Sequence, residues 1–159
     1  MDAGIGSLGT LNDNSPAQVA KGAALLEYMG YAPPGGSGYA SYGATAAAAM
    51  NSVAGRNPWL SIPPANAPDH VVDSGTLQNL AEAYDLLRGS SSVTTAQRTA
   101  MEAKLVDWTD ARSSDLYMTT LSQKDSNWGT KTGPALVTAA LAISDNSRRG
   151  RFSTKASAW

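Results

Sequence analysis

Cysteine is absent from the 159 residues, so disulfides, thiolate metal sites and thiol nucleophiles are excluded. There is one histidine, His70, which rules out any multi-histidine metal centre, and one phenylalanine. Charge is scarce: 16% of residues are charged, against roughly 25% in ordinary soluble domains. The 12 basic and 13 acidic side chains leave a formal net charge of -1, without the basic excess that a nucleic-acid binder carries. No stretch reaches the roughly 18–20 consecutive apolar residues of a transmembrane helix. The opening Met1-Asp2-Ala3-Gly4 lacks the charged and apolar regions of a secretory signal. Aspartates 13, 69, 73, 107 and 110 do not fall into calcium-loop spacing, and no metal or cofactor is expected. Glycine-rich stretches lack a Walker lysine, and no Gly-x-Ser-x-Gly elbow is present.

What fills the chain instead is Ala, Ser, Thr and Gly. Alanine-rich cores with a few Leu, Val, Trp and Tyr suit closely packed helices, whereas β-branched and aromatic runs are sparse. The expected fold class is all-α, built of antiparallel helical hairpins.

Residues 1–14 read as a flexible lead-in, and 15–159 as one helical domain. Ser15-Pro16-Ala17-Gln18 opens a first helix, with Val19, Ala23, Leu26 and Met29 at helical spacing until Gly30. A second runs from about Tyr39 to Ala54. Asn57 to Asp69 holds four prolines and predicts an extended surface loop. A third helix is expected from about Asp73, with Leu77, Leu80, Ala81, Tyr84 and Leu87 on one side and a stop at Gly89. Thr94 and Gln97 form a capping box for a fourth, continuing through Ala100, Met101, Lys104, Leu105 and Trp108. A short element is expected near Ser114 to Leu121. Gly133-Pro134 then precedes Ala135 to Ile143, a run that predicts a buried helix. Phe152, Ala156 and Trp159 begin an amphipathic helix with no stop signal, a face suited to self-association or to a missing C-terminal half.

Two stretches go beyond composition. One is Leu80-Ala81-Glu82-Ala83-Tyr84-Asp85-Leu86-Leu87-Arg88-Gly89, followed by the Thr-capped helix. The other is Ser126-Asn127-Trp128-Gly129-Thr130-Lys131-Thr132-Gly133, with the Ala/Leu helix behind it. Together, over roughly residues 73–159, they resemble the (α/α) toroid domain of polysaccharide lyases of the alginate-lyase and heparinase-like group.

The resemblance implies β-elimination on a uronic-acid polysaccharide without a cofactor. Asn127 matches the residue that neutralises the uronate carboxylate and so acidifies the C5 proton. A His or Tyr removes that proton, and a Tyr helped by Arg protonates the leaving oxygen. Fixed donors are needed because a carbanion-like intermediate is poorly stabilised by water. The family commonly has His directly after the Asn; this chain has Trp128. Asn127, His70 and Tyr84 are therefore the catalytic candidates, and Trp128, Lys131, Tyr39, Tyr42 and Arg88 the substrate-binding ones. Tyr84 or the loop tyrosines are expected to share a groove with Asn127, since elimination also needs a proton donor. The family's acid residues usually follow the Asn segment by some tens of residues. The chain is therefore expected to be either half of such an enzyme or a shortened relative that has kept the scaffold and lost the reaction, with reduced or absent catalysis of its own.

Each candidate has a plainer alternative. Asn127 also suits a helix cap, Trp128 a core filler, His70 a surface loop, and Arg148-Arg149-Gly150-Arg151 a solvated turn. Tyr28, Tyr31, Tyr39 and Tyr42 form either a saccharide platform or loop packing. The rival function is a non-catalytic structural or glycan-binding protein on the same helices, such as a virion or coat component. An extracellular, periplasmic or virion-associated setting goes with either reading.

Overall fold

The computed structural model describes residues 14–33, 41–54, 68–113 and 127–144. Among these, all regular structure is helical: α1 (Asn14–Tyr28), α2 (Tyr42–Ala54), α3 (Pro68–Leu87), α4 (Thr95–Ser113) and α5 (Asn127–Ala142). No described helix is long and apolar enough to cross a membrane. The element near 114–121, residues 57–67 of the proline-rich loop and the Phe152/Ala156/Trp159 face lie outside the described residues.

The helix ends follow local chemistry. α1 closes on Gly30 at φ 75°, where Tyr31 N–H donates to Leu26 O and Gly30 N–H to Glu27 O, a Schellman pair that only a residue tolerant of positive φ closes cheaply. At the start of α2, Ser41 is the cap, its Oγ accepting Ala44 N–H at 3.1 Å. The capping box of α4 forms as the sequence predicts. Thr94 N–H donates to Gln97 Oε1 at 2.8 Å, and Gln97 N–H to Thr94 Oγ1 at 3.2 Å. Thr94→Ala removes one reciprocal bond at an exposed position, so thermal melts should show a loss of about 1 kcal/mol.

α1 opens at Asn14, ahead of the expected Ser15 cap, and α2 at Tyr42, not Tyr39, while two boundaries shift further. α3 begins at Pro68 rather than Asp73, because proline at a first helical position loses no intrahelical bond. Residues 68 and 69 are thus helical, and His70 stands in a first helical turn, not in a loop. α5 begins at Asn127 and runs through Pro134 instead of starting behind it. Pro134 removes one ladder bond, but it lies on the exposed side, where a helix bends most easily. Nor is α5 buried all round: Ala135, Leu136, Ala139, Ala140 and Ile143 face the core, whereas Val137 and Leu141 are exposed.

The core is alanine-rich. Ala17, Ala20 and Ala24 of α1 face Ala46, Ala49, Met50 and Val53 of α2 at i, i+3, i+4 and i+7 spacings. Small side chains let the two axes approach closely. The expected α3 face is buried throughout, from Leu77 to Leu87. On α4 the buried set is Met101, Leu105, Val106 and Thr109, with Ala100 exposed.

Helix direction follows from the cross-links. Lys21 pairs with Glu82, and six residues further along α1 Glu27 accepts from Ser90 and Ser92, so α1 and α3 run the same way. α3 packs along α5, and their C-terminal ends meet where Arg88 Nη2 donates to Ala142 O. α1, α3 and α5 therefore form a co-directional layer, with α2 packed against α1 in the return direction and α4 returning after the 88–94 turn.

Candidate functional site

A co-directional layer has two ends, and the candidate residues divide between them. Its C-terminal end gathers Glu27, Ser41, Gly43, Tyr84, Arg88, Ser90, Ser92 and Ser144. Its N-terminal end carries the first turns of α3, with His70, and of α5, with Asn127, Trp128 and Lys131.

The C-terminal end is densely bonded. Tyr84 is 2% exposed, and its hydroxyl donates to Glu102 Oε2 at 2.5 Å. Glu102 Oε1 accepts Ser144 N–H at 2.6 Å, so one α4 carboxylate joins α3 to the end of α5. Burial, followed by the bond to Glu102 and that carboxylate's charge, holds the Tyr84 phenol above its ordinary pKa. Tyr84 is a neutral, inward-facing donor. The Arg88 guanidinium lies 5.7 Å from the centre of the Tyr84 ring, reaches Asp85 Oδ1 at 3.3 Å and caps the Ala142 carbonyl. Its Nε is buried without a partner. Both predicted site residues are brought together here, in structural contacts.

A second carboxylate closes the α1–α2–α3 corner. Glu27 Oε1 accepts from Ser92 Oγ at 2.6 Å and Ser90 Oγ at 2.9 Å, and Oε2 accepts Gly43 N–H at 3.0 Å. Ser41 Oγ donates to Ser92 Oγ at 3.2 Å. The Ser92 bond chiefly lowers the Glu27 pKa; partial burial opposes it, and Ser90 and Gly43 lower it further. A carboxyl whose folded pKa is depressed contributes stability that is complete above its unfolded value, near 4.5, and is lost as pH falls through the folded value. Thermal melts of the wild type should therefore decline below about pH 4.5, and Glu27→Gln should flatten that limb.

Tyr42, at the start of α2, is half-buried and packs against the core at this same end. Tyr28 and Tyr31 are exposed, and Tyr39 lies outside the described residues. A cleft of about 480 Å³ opens between the end of α1 and the α3–α4 turn, lined by Glu27, Tyr28, Asp85, Gly89, Ser90 and Ser91.

The N-terminal end is far from all of this. Fourteen residues of α3 separate His70 from Tyr84, about 21 Å of helix rise, and Asn127 lies about 25 Å along the chain direction from Ser144. The expectation that Tyr84 shares a groove with Asn127 is corrected by this: co-directional helices put their first turns at one end and their last at the other. His70 and Asn127, by contrast, head two packed neighbours. Counted back from the Arg88–Ala142 contact, they stand level to within about one helical turn.

No family model, curated protein or solved structure matches the chain.

Sequence reasoning missed Glu27 and Glu102, the two carboxylates that organise the C-terminal end. Their partners are 42 to 65 residues distant, or across a turn, and leave no local pattern. Among the described residues, no group of three or more His, Asp or Glu side chains is placed to hold a metal.

Proposed function

We infer that the chain is a helical segment of a polysaccharide-lyase-type scaffold, acting on or binding an acidic, uronate-containing polysaccharide at the N-terminal end of the α3–α5 layer. The observation that carries this reading is the alternation of co-directional α1, α3 and α5 with returning α2 and α4. A toroid of α-hairpins needs that order, since every second helix must run the same way for the ring to grow. The Asn127-Trp128-Gly129 motif heads the last described helix of the layer, and His70 heads its neighbour.

In this reading the Asn127 carboxamide donates to the uronate carboxylate, stabilising the negative charge that develops there. His70, the chain's one imidazole, takes the C5 proton. The electron pair forms the C4–C5 double bond, the C4–O bond breaks, and the departing oxygen is protonated. Tyr84, about 21 Å of helix rise from His70, is out of reach of that oxygen, so the proton the oxygen receives is the one His70 has taken from C5, returned from the imidazolium. Trp128 and Lys131 are the sugar-binding candidates of the same end.

The alternative is a non-catalytic glycan-binding or structural protein on the same scaffold. It is favoured by the commitment of both Tyr84 and Arg88 to structural bonds.

The test is incubation with oligouronates, read by ultraviolet absorbance of the unsaturated product. Turnover that Asn127→Ala abolishes, with a stability loss of no more than a cap, about 1 kcal/mol, supports the lyase. Binding without any product supports the alternative. Neither binding nor turnover would sink the lyase and the glycan-binding readings and leave only a structural role.

A further inference from the structure

The cleft at the C-terminal end is a separate place on the molecule, and its chemistry differs from what a uronate site needs. Its lining presents two carboxylates, from Glu27 and Asp85, with the hydroxyl-bearing Ser90 and Ser91 and the aromatic Tyr28. An acidic sugar would bring a third negative charge into this space. Both are partly engaged: Glu27 accepts three hydrogen bonds, one of them from a backbone N–H at the start of α2, and Asp85 lies 3.3 Å from Arg88. The donors to Glu27 are neutral and leave its charge in place, but no third carboxylate joins the two in a metal-holding group among the described residues.

What remains is acceptor capacity. A carboxylate offers about four lone-pair positions, and Glu27 uses three, in a geometry its partners hold fixed. Asp85 is 61% exposed at its side chain, with lone pairs to spare. Acceptors fixed beside serine hydroxyls suit a ligand rich in hydroxyl donors. Beside them Tyr28 is 71% exposed, an aromatic face kept in water that the core does not use. Aromatic faces with adjacent carboxylate acceptors complement a pyranose, which has apolar C–H faces and a rim of hydroxyls. Gly89 leaves the wall open: a Cβ there would meet nothing within 4 Å. The volume, about 480 Å³, lies in the range of small-ligand sites, about 300–1,000 Å³.

We propose that this cleft is a binding subsite for a neutral, polyhydroxylated sugar unit, which stacks on Tyr28 and donates hydroxyls to Glu27 and Asp85. It is independent of the inferred uronate site, about 20 Å or more away along α3, and stands or falls separately.

The experiment is a backbone-amide NMR titration of the full chain with neutral tetrasaccharides of glucose, mannose and galactose. A tetrauronate and a glucosamine tetramer serve as comparators. The expected result is a saturable shift of Tyr28, Gly89 and Ser91 with at least one neutral sugar, and none there with the uronate. Tyr28→Ala should weaken binding about fivefold. Gly89→Trp should abolish it by filling the cleft; that position has no positive φ, so circular dichroism should be unchanged. No saturable shift with any neutral sugar would overturn the proposal. So would preference for the glucosamine or uronate tetramer, or neutral-sugar shifts that survive Gly89→Trp.

Discussion

Gly43→Ala is expected to destabilise the protein by about 2–3 kcal/mol, although alanine is the better helix former. Gly43 lies in the first turn of α2, where its N–H serves Glu27. A Cβ built there meets Ser92 Cβ at 2.5 Å and Glu27 Oε1 at 2.8 Å. Neither neighbour yields freely, because Ser92 and Glu27 hold each other and Glu27 also holds Ser90. The methyl group has to push the α3–α4 turn away or break the carboxylate's bonds, and both outcomes loosen three helices at once. Gly22, in α1, is the control. A Cβ there meets nothing within 4 Å, so Gly22→Ala should gain about 0.5–1 kcal/mol. Opposite signs for one substitution, measured by denaturant unfolding, separate close approach from propensity.

Glu102→Ala is the second large effect, about 2–3 kcal/mol. It leaves the Tyr84 hydroxyl, 2% exposed, without an acceptor for its proton, since the Ser144 side chain that also bonds it acts as a donor, and an unmet buried donor costs about 1–3 kcal/mol. It also frees Ser144 N–H from the end of α5. Tyr84→Phe removes the donor instead. Glu102 is only half-buried and keeps Ser144, so that loss should be about 1 kcal/mol. The double variant should lose less than the two singles added together, because each single breaks the same bond. Additive losses in urea unfolding would deny that Tyr84 and Glu102 act as a pair.

The parts of this fold legible in the sequence are those set by neighbours in the chain. The Thr94/Gln97 box, the Gly30 terminus and the apolar side of α3 are all local patterns. In α1 the helical spacing was legible but not the side it buries. Of Val19, Ala23, Leu26 and Met29 only Ala23 is buried; Met29 is 52% exposed, and Val19 and Leu26 are half-buried. The buried face is Ala17, Ala20, Ala23 and Ala24. In closely approaching helices size decides, and the larger apolar residues are left at the margin. Residue-by-residue hydrophobicity does not reveal that choice.

Proline misled at both of its boundaries, because the sequence reading took it as a breaker. Pro68 sits where its missing N–H costs nothing, and Pro134 is tolerated inside α5 on an exposed side. The candidate site was legible as residue types but not as placement. Tyr84 and Arg88 do meet, yet helix direction sets them at the end away from Asn127. Direction became visible through long-range contacts such as Lys21–Glu82, Glu27–Ser92 and Arg88–Ala142, the last two between residues 65 and 54 positions apart.

The most direct measurement is an amide-resolved titration of the full chain with a saturated oligouronate, asking which end of the layer responds. The account predicts saturable shifts at His70, Asn127 and Thr130, weakened by Asn127→Ala, with Tyr84, Arg88 and Ser144 unmoved. Shifts confined to Tyr84, Arg88 and Ser144, or none at either end, would contradict it.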